Sequence, residues 1–179
     1  MMTDQQEIAL LNFYRASELH GGLILGQLAR RVRDPQLMLE LTRHAAEEMG
    51  HAQLWTETML TLGMRPSPVK ETYQTRYAAA LGSPITMIEV LALTQVFERR
   101  VYRHFAEHLH RPNTYDAVKA TLRRMLEEEK GHLAWVKRWL DAEAATKPEL
   151  VRDTMARYAA ADACIYETLR AEYGWERAA

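Results

Sequence analysis

The fold of this chain is decided by one stretch, Leu126-Glu127-Glu128-Glu129-Lys130-Gly131-His132-Leu133. Within it, Glu129 and His132 lie three residues apart in a segment whose apolar residues recur with helical spacing, so both side chains point to the core side of one helix. An earlier stretch, Ala46-Glu47-Glu48-Met49-Gly50-His51, repeats the spacing, the preceding glutamate and the glycine before the histidine. We interpret the two copies as matching parts of one helical core.

The composition excludes several classes of protein. A chain of 179 residues suits one domain with a single core, and 23 Lys and Arg against 24 Asp and Glu give no basic surplus for nucleic acid or acidic lipid. We expect a cytoplasmic protein without a nucleic-acid or membrane partner, since there is neither a secretory leader nor a bilayer-length apolar run. Cys164 is the only cysteine, so any metal bound by one chain has oxygen and nitrogen ligands.

Apolar periodicity and the positions of the prolines predict an all-α chain. Residues 64–82 lose the pattern, with a short helical piece around 73–80, and a connection of this length can run along a whole bundle. We therefore predict a ferritin-like four-helix bundle with one long crossover between its second and third helices, over residues 1–145. Residues 146–179 form a fifth, C-terminal helix that packs on the bundle or at a subunit interface. The predicted long helices are 4–33, 35–62, a third that Ser83-Pro84 begins and Pro112 stops, 114–145 and 148–173.

The core-facing seams of the four bundle helices share one symmetric set of ionisable residues. Each half of the chain supplies one glutamate and then one Glu-x-x-His, and the two glutamates are separated by 30 positions in the first half and 31 in the second. These six residues are the predicted metal ligands: Glu18, Glu48, His51, Glu98, Glu129 and His132.

Four carboxylates in an apolar core require a compensating charge. Each buried ion without a partner costs several kcal/mol, against a total stability of roughly 5–15 kcal/mol, and the seams contain no Lys or Arg. Two divalent cations would balance the four negative charges while both histidines remain neutral. Carboxylate and imidazole ligands without thiolate favour iron or manganese, so we expect two iron ions, with manganese or a mixed Fe/Mn pair as alternatives.

These residues resemble the ligand set of the ferritin-like diiron-carboxylate superfamily, in which two helices each give a Glu and two each give a Glu-x-x-His. The segments around Glu48 and Glu129 are most similar to those of bacterioferritins. Rubrerythrins have a similar bundle, but they add an iron-thiolate domain and a further Glu where this chain has Gln95. The resemblance implies a non-haem diiron oxidoreductase that reacts with O2 or peroxide and uses an unknown reductant. We also expect the protein to form a homodimer. Ferritin-type iron storage, hydroxylation of an organic substrate and a purely structural metal remain alternatives.

Several other residues are open to two interpretations. His44 lies one turn before Glu48 and is either a neighbour of the ligands or a seventh ligand, and Tyr102 is either a hydrogen-bond partner of a ligand or a plain core residue. Gly21 and Gly22 either leave space beside the metals or allow close helix packing. A third Glu-x-x-His, Glu107 to His110, points away from the seam. We assign it to the solvated surface together with His20, His104 and His108.

Overall fold

The computed structural model describes residues 4–174, and these form six helices and no strand. The predicted all-α class is therefore confirmed, and two helix pairs separated by a long crossover are consistent with a ferritin-like bundle. None of the helices within this range combines the length and the apolar character that spanning a bilayer requires. The helices are α1 (Asp4–Ala29), α2 (Pro35–Thr61), α3 (Tyr73–Leu81), α4 (Met87–Leu109), α5 (Asp116–Ala144) and α6 (Pro148–Tyr173).

The junction between α1 and α2 confirms the predicted start of α2 and corrects the predicted end of α1. The Asp34 side chain accepts a hydrogen bond of 2.7 Å from the backbone N–H of Leu37, and Pro35 is in the first turn of α2. This N-cap requires an extended backbone at Asp34, so the chain must leave the preceding helix earlier. Accordingly α1 ends at Ala29, and the prediction that it continues to Arg33 is wrong.

The start of α4 is also displaced from its predicted position at Ser83-Pro84. Thr86 is the N-cap, and its hydroxyl accepts from the backbone N–H of Glu89 at 3.2 Å while the Glu89 carboxylate accepts from the backbone N–H of Thr86 at 3.0 Å. This reciprocal capping box satisfies two backbone donors at once. It therefore sets the start of the helix more strongly than a Ser-Pro pair, and the Ser83-Pro84 prediction is wrong.

The chain divides into two compact units between Gln74 and Thr75. In the first unit α1 packs along α2, and the crossover begins with a tether to α1. The backbone N–H of Ser67 donates to Asn12 Oδ1 at 2.6 Å, and Arg15 donates to the Ser67 carbonyl at 2.9 Å. The fully buried side chains of this unit include Leu10, Leu11, Phe13, Leu41, Trp55 and Met59.

In the second unit α4, α5 and α6 pack against one another. Asp162, which interrupts the apolar stripe of α6, is buried and accepts hydrogen bonds from Tyr77 at 2.7 Å and from Arg100 Nε at 2.8 Å. The Arg100 guanidinium also lies 4.2 Å from the ring centre of Tyr166. A polar network thus fixes α6 on α4. The division into residues 1–145 and 146–179 stays a prediction.

This packing corrects the assignment of two histidines to the surface. His104 and His108 are both buried, and His104 Nδ1 lies 3.0 Å from the Tyr166 hydroxyl of α6. Burial, with the nearby His108 and three arginines, lowers the pKa of His104 well below its usual range, so this imidazole is neutral. A bundle of four helices leaves this face of α4 to solvent, whereas α6 occupies it. Glu107 and His110 are exposed as predicted.

Candidate metal centre

The first unit brings three of the six predicted ligands together. Glu18 projects from α1, and Glu48 and His51 project from α2. His51 Nδ1 lies 3.6 Å from Glu18 Oε2 and 4.0 Å from Glu48 Oε1, and none of the three residues is more than 2% exposed. Each offers a ligand atom within 4.8 Å of those of the other two. These three residues could together hold one metal ion.

The second unit holds the matching three, Glu98 on α4 and Glu129 and His132 on α5. His132 Nδ1 lies 2.9 Å from Glu129 Oε2, and all three residues are buried. Glu98 and His132 offer ligand atoms within 4.8 Å of each other. Each unit therefore assembles an equivalent half of the ligand set, with one Glu on one helix and a Glu-x-x-His on the next.

The two halves present the same imidazole nitrogen to their carboxylates. A spacing of three residues places Glu and His on neighbouring turns of one helix face, and in both units Nδ1 is the imidazole nitrogen that approaches the carboxylates. The short Glu-x-x-His segment thus fixes both the donor types and the ring nitrogen they present.

The electrostatics of the second unit show what the carboxylates do when no cation is present. Burial raises the pKa of Glu129 to about 7, and the negative charge of Glu98 and a hydrogen bond with it act in the same direction. The hydrogen bond from His132 and its charge offset part of this rise. In the metal-free protein a proton is therefore held between the two carboxyl groups near neutral pH.

The residues present fit divalent cations of the iron and manganese class. Glu18, Glu48, Glu98 and Glu129 are all buried, whereas no Lys or Arg within residues 4–174 is buried. Without a cation these carboxylates bear a large desolvation penalty. The donors are carboxylate oxygens and imidazole nitrogens, which are the ligand atoms that iron and manganese accept. Cys164 is exposed and is not part of this group.

His44 contacts a predicted ligand directly. Its Nε2 lies 3.2 Å from Glu48 Oε1, and it is 1% exposed. When Glu48 is ionised, as the binding of a cation requires, its oxygens can only accept, so this nitrogen is the donor of the hydrogen bond. The matching position of the second half is Met125, which is fully buried.

Gly21 and Gly22 serve different purposes. A Cβ atom on Gly21 would lie 2.9 Å from Glu48 Oε2 and 3.5 Å from Gln74 Nε2. A Cβ atom on Gly22 would instead lie 3.1 Å from the carbonyl oxygen of Ala45. Gly21 therefore leaves room for the carboxylate of a predicted ligand, and Gly22 allows close packing of α1 on α2.

The remaining candidates are not among the buried residues of the ligand set. Tyr102 is partly exposed and makes no hydrogen bond to a predicted ligand in the described part of the chain. His20 is partly exposed, with Nδ1 2.7 Å from the Thr72 hydroxyl. The sequence patterns above do not predict the network of Arg100 and Tyr166. The one signal for it in the sequence is Asp162, a charged residue in the apolar stripe of α6.

Comparison with known families gives a match over most of the chain. The model described as "Ubiquinone biosynthesis protein COQ7" matches residues 15–159, a span that contains all six predicted ligands. Searches of curated proteins and of solved structures each found no significant match.

Proposed function

The chain belongs to the COQ7 family, and we propose that it is a diiron hydroxylase that uses O2 to oxidise an organic substrate. In this proposal Glu18, Glu48 and His51 bind one iron ion, and the matching residues of the second half bind the other. The proposal is supported above all by one observation: each unit holds a buried Glu, Glu and His set with the same helix spacing. Of the alternatives open from the sequence, the family favours hydroxylation.

Two iron ions bound by these residues would supply the binding and reductive activation of O2. The four carboxylates would balance the charge of two ferrous ions, and His51 and His132 would be neutral imidazole donors. The proton that Glu129 shares with Glu98 in the metal-free protein would be released on metal binding. Burial of all six side chains excludes bulk water from the reacting groups.

The family's part in ubiquinone biosynthesis suggests a substrate class. We propose a substituted benzoquinone, or its hydroquinone, with a free ring position. Hydroxylation converts one ring C–H bond into C–OH with one oxygen atom of O2, and the other atom leaves as water. The balance requires two electrons and two protons, which a separate organic or protein reductant provides.

Metal loading with a matched pair of variants tests the proposal. After anaerobic ferrous loading and desalting, the wild-type protein should retain two irons per chain, and Glu129→Ala should retain fewer because a ligand is lost. Glu107→Ala is the control, because Glu107 begins an identical Glu-x-x-His motif on the exposed side of α4 and should leave iron content unchanged. Exposure to O2 with a reductant and a short-chain quinone should then add one oxygen atom to the quinone, as measured by mass spectrometry.

Three results would count against the proposal. A folded wild-type protein that retains no iron would refute the diiron site. Uptake of many irons per chain into a large assembly would favour storage. Oxidation of the ferrous protein by O2 without any hydroxylated quinone would refute the hydroxylase reaction.

A further inference from the structure

We propose that His44 is a positioning residue that makes the two metal positions unequal, so that the position formed by Glu18, Glu48 and His51 fills first. The inference rests on the proposed diiron site. His44 lies outside the symmetric ligand set, and the matching positions of the second half carry different residues.

Both oxygens of the Glu48 carboxylate have defined neighbours in the first unit. Oε1 lies 3.2 Å from His44 Nε2 and 4.0 Å from His51 Nδ1, and it accepts from Nε2 when Glu48 is ionised. Oε2 lies 2.9 Å from the point that a Cβ atom on Gly21 would occupy, so it has room only because residue 21 has no side chain. The carboxylate is therefore held between α1 and an imidazole of its own helix.

The second half has different residues at both matching positions. Met125 lies four residues before Glu129, as His44 lies before Glu48, and its thioether has no hydrogen to donate. Val101 lies three residues after Glu98, as Gly21 lies after Glu18, and it is buried and branched where the first half has no side chain. A hydrogen bond from a side chain that is not a predicted ligand, four residues before the Glu, and the glycine space thus belong to the first half alone. The hydrogen bond of 2.9 Å between His132 and Glu129 joins two predicted ligands through the atoms that an ion would use.

A ligand that is already held in place loses less freedom when it binds an ion, so its metal position has the higher affinity. Hydrogen-bond partners of metal ligands typically change affinity by about 10–100-fold. In this inference His44 acts through Glu48, because its Nε2 lies within hydrogen-bond distance of Glu48 Oε1, at 3.2 Å.

Anaerobic titration with Mn(II) tests this, with calorimetry for the two dissociation constants and electron paramagnetic resonance to distinguish single ions from coupled pairs. In the wild-type protein the constants should differ by about 10–100-fold, and one equivalent should give single-ion spectra. His44→Met, which copies the second half, should bring the constants to within about threefold and give coupled pairs already at one equivalent. His44→Gln should retain the wild-type difference, because its amide donates from a position close to that of Nε2. Met125→Leu is the control in the second half and should also retain it.

The outcomes separate this inference from the proposed function. If the wild-type protein binds fewer than two ions, the diiron site is wrong and the inference falls with it. If it binds two with equal affinity, or if His44→Met keeps the wild-type difference, only the inequality caused by His44 is refuted. If His44→Gln behaves like His44→Met, the imidazole itself is needed and the positioning role is refuted. His44→Leu provides the same comparison if His44→Met does not fold.

Discussion

Gly21→Ala should weaken metal binding without lowering the stability of the metal-free protein. The new methyl carbon would lie 2.9 Å from Glu48 Oε2, which is about 0.5 Å closer than a carbon–oxygen contact tolerates. The Glu48 carboxylate must move by this amount, since the helix backbone of α1 moves less readily than the end of a side chain. Metal-binding groups must be held to within about 0.5 Å, so we expect affinity to fall about 10–100-fold.

The stability of the metal-free variant should change in the opposite direction or hardly at all. Alanine in place of glycine inside a helix stabilises by about 1 kcal/mol, which corresponds to about 2–4 °C in Tm for a chain of this size, and displacement of Glu48 offsets part of that gain. Gly26→Ala is the matched control on the same helix, because its Cβ atom would meet only Ala45 Cβ at 3.9 Å. It should show the full gain in Tm and unchanged metal affinity.

The assay is Mn(II) titration of both variants beside thermal melts of the metal-free proteins. The reasoning is refuted if Gly21→Ala binds two ions with the affinity of Gly26→Ala. A large loss of Tm in Gly21→Ala would also contradict it, because the methyl group would then be displacing the backbone and not the carboxylate.

Three further changes have expected outcomes. Because the pKa of Glu129 is raised from 4.5 to about 7, the folded metal-free protein keeps a proton that the unfolded chain releases. Its free energy of unfolding should therefore fall as pH rises from about 4.5 to 7. Urea titrations of Glu129→Gln at several pH values should lack this fall. Asp162→Ala removes the carboxylate that accepts from both Arg100 and Tyr77 and should cost about 3 kcal/mol in urea unfolding; a cost below about 1 kcal/mol would show that the network contributes little. Thr86→Ala should cost about 1 kcal/mol by loss of the capping box, whereas Ser83→Ala should have no measurable effect; equal costs would contradict the observed helix start.

Helical phase allows the residues of the candidate site to be predicted from the sequence. Glu129 and Glu107 begin the same motif, yet the first is buried and the second is exposed, as their positions relative to the core-facing residues predict. The donor types and their spacing follow from local sequence. Which ring nitrogen approaches the carboxylates, and the contact of Gly21 with Glu48, depend on side-chain packing that no periodicity contains.

Two predictions fail because the deciding partner is not a local signal. Helical phase predicts that His104 is at the surface, since it lies opposite the ligand seam of α4, but α6 covers that face. Ser83-Pro84 is a typical local start signal, but the capping box of Thr86 and Glu89 determines the start of α4. Boundaries depend on which cap satisfies more backbone donors, and burial depends on partners that are distant in sequence.

The tether at Ser67 bears on the susceptibility of the crossover to proteases. Residues 62–72 are the longest helix-free stretch of the described chain, and they contain the exposed trypsin site at Lys70. A protease must draw an extended length of chain into its cleft, and exposed loops are where this usually succeeds. Here the N–H and the carbonyl of Ser67, three residues before that site, are both bound to α1. Cleavage after Lys70 should therefore be slow in the folded protein and faster in Asn12→Ala, so that a proteolytic time course reports directly on how firmly α1 holds the beginning of the crossover.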